Sequence, residues 1–392
     1  MMMRRILAME MKIGKYRVPN LPLIHQTTFR KSLVNTRDIA TTTTICTCRS
    51  SRRSSGSGRS TKRNMGSDGS TEKEDLVREY YEKDFADDGG GLRVKIQQGL
   101  AAMGKSLTGT NNSEQSSVSS SSTQLLQPLD LAPVDEFHSR GHQATLDLCN
   151  MVTGGIRCSD SIVDVGCGLG GTARHLASTH GATVTGIDLS QGYVDVGNEL
   201  TRHVGLDDKV RLVQGSALNL PLSYDTFDLA FTVHAQMNVA DKTAFYREIH
   251  RVLRPGGRLM FHDVFRGDAK ESPRYPCPWA DTENLSYLVT EAKAREIMES
   301  TGFVVSSWID QTPQTVAWFQ STVSKMAKLG RSPPLGIHLV MGETTKQKIQ
   351  NHLSNCERGS TVVVMGVLTK HSTACSNLET KKTDTCQTST PT

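Results

Sequence analysis

An α/β architecture, a seven-stranded mostly parallel sheet with helices on both faces, is predicted by three features of this 392-residue chain. From residue 161 onward, seven short apolar runs alternate with segments of helical periodicity. The turn after the first run, in IVDVGCGLGGTARH, is rich in glycine. The second run ends on an acid, Asp188. Short apolar strands are what a sheet covered on both sides needs, because neither of its faces meets water.

The strand-like runs span 162–165, 183–187, 210–213, 227–232, 258–263, 303–308 and 361–368. Between the second and third, Tyr193, Val196, Leu200 and Val204 share a helical face; between the fourth and fifth, Phe245, Ile249, Val252 and Leu253 do. Ser190 and Asp241 stand before these helices as N-caps, where a side-chain oxygen accepts a first-turn amide. Pro255 stops the second helix, and Gly256 and Gly257 turn the chain into the next strand. Ahead of the sheet, 72–85 and 92–105 read as N-terminal cap helices. Leu76, Tyr80 and Tyr81 lie roughly on one face of the first; Val94, Ile96, Leu100 and Met103 are the apolar positions of the second. The expected organisation is a disordered basic leader at 1–68, cap helices at 69–106, a Ser-rich disordered insertion at 107–128, the α/β domain at 129–370 and a polar disordered tail at 371–392.

Charge is unevenly spread. Up to Ser67 there are 14 Lys or Arg against two acids, a net of +12, leaving 31 basic and 38 acidic residues in the remainder, a net of −7. A basic, hydroxyl-rich, acid-poor leader without an apolar core has the composition of a transit peptide, implying a chloroplast or mitochondrion. A tail of no address, and hence a cytoplasmic protein, is the alternative. The acidic remainder has no basic patch interleaved with aromatics, which argues against a nucleic-acid partner. No run approaches the ~18 apolar residues of a membrane span, which argues against integral membrane contact. The nine cysteines form no C-x-x-C pair and read as free thiols, and no metal site is expected.

Gly166, Gly168 and Gly171 satisfy G-x-G-x-x-G between a strand and a helix, with Gly170 as an extra glycine. Such a turn lets a ligand approach the backbone closely. Asp188, 22 residues after Gly166, is placed to accept hydrogen bonds from ribose hydroxyls. A dinucleotide and S-adenosylmethionine compete for this site. A pyrophosphate wants helix amides without a nearby carboxylate. Asp164, just before the first glycine, suits instead a ligand carrying an ammonium and a sulfonium.

V-D-V-G-C-G-L-G-G-T resembles motif I of the class I S-adenosylmethionine-dependent methyltransferases, and Ile187-Asp188-Leu189-Ser190, Gly215-Ser216-Ala217 and Leu253-Arg254-Pro255-Gly256-Gly257 continue the likeness. The resemblance implies a Rossmann-like fold and S-adenosyl-L-methionine as methyl donor. It places Asp164 at the methionine moiety, Gly166, Gly168 and Gly170 beneath the adenosyl group, and Asp188 on the ribose. Leu189, Ser216, Ala217 and His234 complete the expected donor-binding set. One departure stands out. The family's third-strand motif reads G-D-A, with the acid near the adenine amino group, and this chain has Ser216 there. Serine can accept a hydrogen bond, but without charge and with less reach.

Methyl transfer is an in-line displacement, so positioning and exclusion of water matter more than a nucleophilic side chain. An amine acceptor must be neutral to attack, which calls for a base or for water. The segments 233–239, 263–264 and 275–280, with Phe137-His138-Ser139-Arg140-Gly141 on a front helix and the stretch 336–343, look like small-molecule N-methyltransferases of the sarcosine/dimethylglycine type. His234, Met237 and Trp279 are the expected catalytic residues. Met237 and Trp279 would line a methyl pocket, while His234, His138, Tyr275 and Arg140 would hold a carboxylate or hydroxyl. The 308–319 stretch, with Trp318 and Phe319, is either a flap or core. Two other readings remain open: methylation of a prenylated quinol or other lipid on carbon or oxygen, and a catalytically silent adenosyl-binding protein.

Overall fold

A computed structural model describes residues 69–83, 90–105, 107 and 126–371. The basic leader at 1–68, most of the Ser-rich insertion and the tail beyond His371 lie outside the described residues.

The seven runs form one sheet: β1 (Ser161–Val165), β2 (Thr183–Asp188), β3 (Val210–Gln214), β4 (Phe227–Val233), β5 (Leu253–Arg266), β6 (Phe303–Asp310) and β7 (Thr361–Lys370). Their order is β3-β2-β1-β4-β5-β7-β6. The β1–β2, β1–β4, β2–β3 and β4–β5 pairs are parallel, whereas β7 runs antiparallel to both β5 and β6. This is the predicted Rossmann-like, mostly parallel sheet. The chain order reverses at β1 and β4, and a crevice opens beyond the carboxyl ends of these two strands, where ligands bind in open α/β sheets.

Helices cover both faces: α1 (Gly69–Glu82), α2 (Gly90–Ala102), α3 (Pro128–Asp135), α4 (His142–Asn150), α5 (Gly171–His180), α6 (Gln191–His203), α7 (Lys242–Val252), α8 (Glu291–Ser300), α9 (Thr312–Leu329), α10 (His338–Met341) and α11 (Thr345–Glu357). One core layer joins Leu176 of α5 and Val194 of α6 to Ile162, Val184 and Phe231. The other joins Phe245, Ile249 and Val252 of α7 to Val163, Leu259 and Val364. Alternate residues of each strand serve opposite layers, as a pleat with a period of two demands. Burying an apolar side chain of this size contributes about 1.5–3 kcal/mol, so each layer outweighs any single polar contact. Both predicted caps form: Ser190 accepts from the Tyr193 amide and Asp241 from the Ala244 amide.

The front segment departs from expectation. Phe137 to Gly141 is a turn between α3 and α4, because Arg140 (φ +70°) and Gly141 (φ +50°) take left-handed conformations that no α-helix tolerates. Trp308 is core, stacked near Phe261 and Phe265 at ring-centroid distances of 5.1 and 5.6 Å. The cap helices join the domain through a further apolar layer in which Leu92, Ile96 and Leu100 meet Leu131, Leu169 and Val196.

Candidate functional site

The floor of the crevice is the glycine turn. Gly166 (φ +79°) carries a Cα whose missing Cβ would sit 2.5 Å from the Ala235 Cβ, so only glycine lets β1 and β4 end side by side. At Gly168 (φ +53°) the left-handed backbone again favours glycine. Its amide donates to Asp188 Oδ2 at 2.8 Å, and the Ser190 amide donates to Asp188 Oδ1 at 3.0 Å. The acid at the end of β2 thus holds the loop in shape while keeping lone pairs for a ligand.

Two carboxylates meet here under strain. Burial, and then the charge of Asp188, push Asp164 up to about 7, and its Oδ2 has no protein partner. Burial also raises Asp188, against the pull of the Ser190, Gly168 and Leu189 amides. A cation entering between them would relieve both.

The main cavity is lined by Asp164, Gly166, Gly168, Asp188, Leu189, Ala217 and His234 of the predicted donor set. Gly170 and Ser216 are not among its lining residues. The Cα of Gly170 is turned into the interior, where an added Cβ would lie 2.9 Å from Leu212 Cδ1 and 3.1 Å from Arg174 Nη1. That side of Gly170 is thus taken up by packing at the start of α5. Ser216 Oγ is taken up by the Leu218 amide, at 3.0 Å, and by the carboxylate of Glu74.

Several lining residues escaped the sequence reading. Glu74 and Val77 come from α1, which lies over the crevice and also brings in Tyr81, already placed on the apolar face of that helix. Its far end is fastened at several points. The Tyr81 hydroxyl donates to Asn238 Oδ1 at 2.9 Å, Glu82 accepts from the Gln191 amide at 3.2 Å, and Lys83 pairs with Asp281 at 3.0 Å. Asp135 also lines the cavity, held by the buried Arg174, which further donates to the Leu169 carbonyl at 2.7 Å and so ties α3 to the glycine turn. No local pattern announces these contacts, because each joins distant parts of the chain.

A second pocket opens beside the first, lined by Phe137, His138, Ser139, Met237, Trp279, Trp318, Phe319 and His352 among others. Tyr81, Phe137, His138 and His234 line both, so they form the junction between the two spaces. All three predicted catalytic residues come together here: His234, Met237 and Trp279. The Trp279 indole N–H donates to Ser286 Oγ at 2.9 Å, and its ring meets His352 edge-on at 5.2 Å. Trp318 and Phe319, at one side of α9, are pocket wall. Arg140 and Tyr275 do not line this pocket. Arg140 donates to Gln311 Oε1 at 2.7 Å and pairs with Asp147, so its charge is already answered. The pocket's described lining holds no Lys or Arg.

Histidine dominates the junction. His234 (φ +50°) ends β4 in a conformation unusual for a side chain with a Cβ, pinned by its amide donating to the His262 carbonyl at 2.8 Å. Burial, then the neighbouring His262, His138 and His352, hold its imidazole well below the ordinary histidine range, so it is neutral at pH 7, and its Nε2 has no partner. His138 has an anion beside it, Glu136, whose Oε2 lies 3.6 Å from His138 Nε2. Burial opposes ionisation of Glu136, but the hydrogen bond and charge of His138, with Thr145 and His142, hold it down at about 2.

Comparison with known proteins agrees with this geometry. Residues 163–261 match the family model described as a methyltransferase domain. An O-methyltransferase of Pyrenophora dematioidea is 32% identical over 149 residues, 38% of this chain and 56% of that protein. A chloroplastic protein of Oryza sativa subsp. japonica, described as a probable tocopherol O-methyltransferase, is 42% identical over 100 residues, 26% of this chain and 28% of that protein. The chain thus spans about half or less of the length of these relatives. Among solved structures, a protein of Galdieria sulphuraria provisionally named a sarcosine dimethylglycine methyltransferase has a TM-score of 0.51 at 20% identity, covering 59% of this chain and 86% of that one. That likeness is one of fold.

Proposed function

We propose that the protein is an S-adenosylmethionine-dependent methyltransferase acting on a small molecule whose amine or hydroxyl is carried on an apolar body. The observation that carries this reading is the junction of Tyr81, Phe137, His138 and His234 between a cavity floored by the glycine turn and an aromatic pocket. A donor in the first and an acceptor in the second meet only there, and the reacting groups of a methyl transfer must approach to within about 3–3.5 Å.

The residues fit the donor. The orphaned Asp164 Oδ2 and the raised Asp164 want a cation, which the donor's ammonium and sulfonium supply and a pyrophosphate does not. Asp188 is the acceptor for ribose hydroxyls. When bound, S-adenosylmethionine supplies an electrophilic methyl group. The chain's own residues do the rest. Tyr81 and α1 close the crevice against water. The unpartnered Nε2 of neutral His234 hydrogen-bonds the acceptor's heteroatom and orients it. The proton that the acceptor loses leaves to water.

The acceptor follows from the second pocket. Phe137, Trp279, Trp318 and Phe319 give it an apolar wall, and its described lining offers no Lys or Arg to a carboxylate. Sarcosine and dimethylglycine each carry a carboxylate, so this wall favours a less polar amine, phenol or quinol over them. A methylated ammonium product is also at home against aromatic faces. Incubation with methyl-labelled donor and a panel of apolar amines, phenols, quinols, sarcosine and dimethylglycine tests the assignment. Label is expected on an apolar amine or hydroxyl compound; label confined to sarcosine or dimethylglycine refutes the pocket argument, and no transfer to any acceptor favours the silent adenosyl-binding alternative. Import into a chloroplast or mitochondrion remains part of the proposal, on the composition of the leader.

A further inference from the structure

We propose that Glu74, on the helix covering the crevice, recognises the exocyclic amino group of the donor's adenine, so that closure of α1 and recognition of the base are one event. This rests on the donor reading above. The base wall of the cavity is formed by Gly215, Ala217 and Leu218, just past β3. The acid that the resemblance expects between them is Ser216, which does not line the cavity. Its hydroxyl has one hydrogen, and its oxygen already accepts from the Leu218 amide, so in bonding to Glu74 it commits that hydrogen to the carboxylate.

Glu74 stands 142 positions earlier in the chain, yet it both touches Ser216 and lines the cavity. A carboxylate has four lone-pair sites, and one hydroxyl occupies only one of them. What remains accepts hydrogen bonds and donates none. It therefore selects a base with an N–H at the exocyclic position and repels one with a carbonyl there. Where the family fixes this acid on the sheet edge, this chain delivers it on a helix and anchors it through the serine. The helix's other end is fastened to Asn238 and to the Gln191 amide, so seating the base and seating the helix require the same arrangement.

The test is calorimetric titration of the full chain with S-adenosylhomocysteine and with S-inosylhomocysteine, in which the amino group is a carbonyl. The wild type is expected to prefer the adenosyl ligand by about tenfold or more, the scale of one charged hydrogen bond. Glu74→Ala is expected to lose that preference. Adding Ser216→Asp to Glu74→Ala, which returns an acid to the sheet edge, is expected to restore it. Glu74→Gln keeps the size and the serine contact, so a loss of preference there excludes misfolding as its cause. An unchanged adenosyl preference in Glu74→Ala, or no recovery with Ser216→Asp, overturns the proposal. A wild type that binds neither ligand refutes the donor reading itself.

Discussion

Replacing Asp164 by Asn is predicted to make the ligand-free protein more stable at alkaline pH while making it bind the donor less well. Asp164 sits at about 7 in the fold against an ordinary value of 3.8. The folded state therefore holds this proton more tightly than the unfolded chain. The resulting stability is fully present below the unfolded value and is lost as pH rises through the folded one. Each pH unit climbed between the two values removes about 1.4 kcal/mol, so the loss from this residue between about pH 5.5 and pH 8 comes to roughly 2 kcal/mol. Asn cannot ionise, so the stability difference between variant and wild type moves by that amount in favour of the variant over the same interval. Urea denaturation of both proteins at the two pH values measures it. Titration with S-adenosylmethionine at pH 8 should show the variant binding about tenfold or more weakly, through loss of a charged hydrogen bond. A variant that is less stable by the same margin at both pH values, or that binds the donor as well as the wild type, refutes the reasoning about the paired acids.

Other outcomes follow from the same geometry. Donor affinity of the wild type should fall as pH drops below about 7, approaching tenfold per unit, because a cation must displace the Asp164 proton; a flat profile to pH 5.5 contradicts this. Asp188→Ala should weaken donor binding by about 1–3 kcal/mol, measured by calorimetry. His234→Ala should lower turnover or raise KM for the acceptor by about tenfold, the scale of one hydrogen bond, with donor affinity nearly unchanged; a loss of donor binding instead would make it structural. Trp318→Ala should raise KM for the acceptor about tenfold, the scale of one buried aromatic contact, and leave donor affinity alone.

The sheet and its glycine turn were legible because they are written locally. A short apolar run buried on both faces marks Ile162 to Val165, a helical period marks Phe245 to Val252, and Gly166 and Gly168 stand where the backbone turns left-handed. Asp164, Asp188, His234 and Met237 were legible as residues at strand ends or just beyond them, and Trp279 through the likeness of 275–280 to small-molecule N-methyltransferases. The rest depends on closure of long loops. Glu74 reaches Ser216, Tyr81 reaches Asn238 and Arg174 reaches Asp135, and no spacing rule connects such pairs. A motif match cannot tell which way a Cα faces, and at Gly170 Leu212 and Arg174 fill the space that a Cβ would take. Arg140 misled because a local reading counts its charge but not its partners, Gln311 and Asp147.

At the centre stands the proposal that the crevice above the glycine turn suits a cationic adenosyl ligand and not a dinucleotide. Parallel calorimetric titration of the full chain with S-adenosylmethionine and with NAD tests it most directly. Saturable binding of one S-adenosylmethionine per chain and no heat of binding from NAD are expected. Saturable binding of NAD, or none of S-adenosylmethionine, contradicts it.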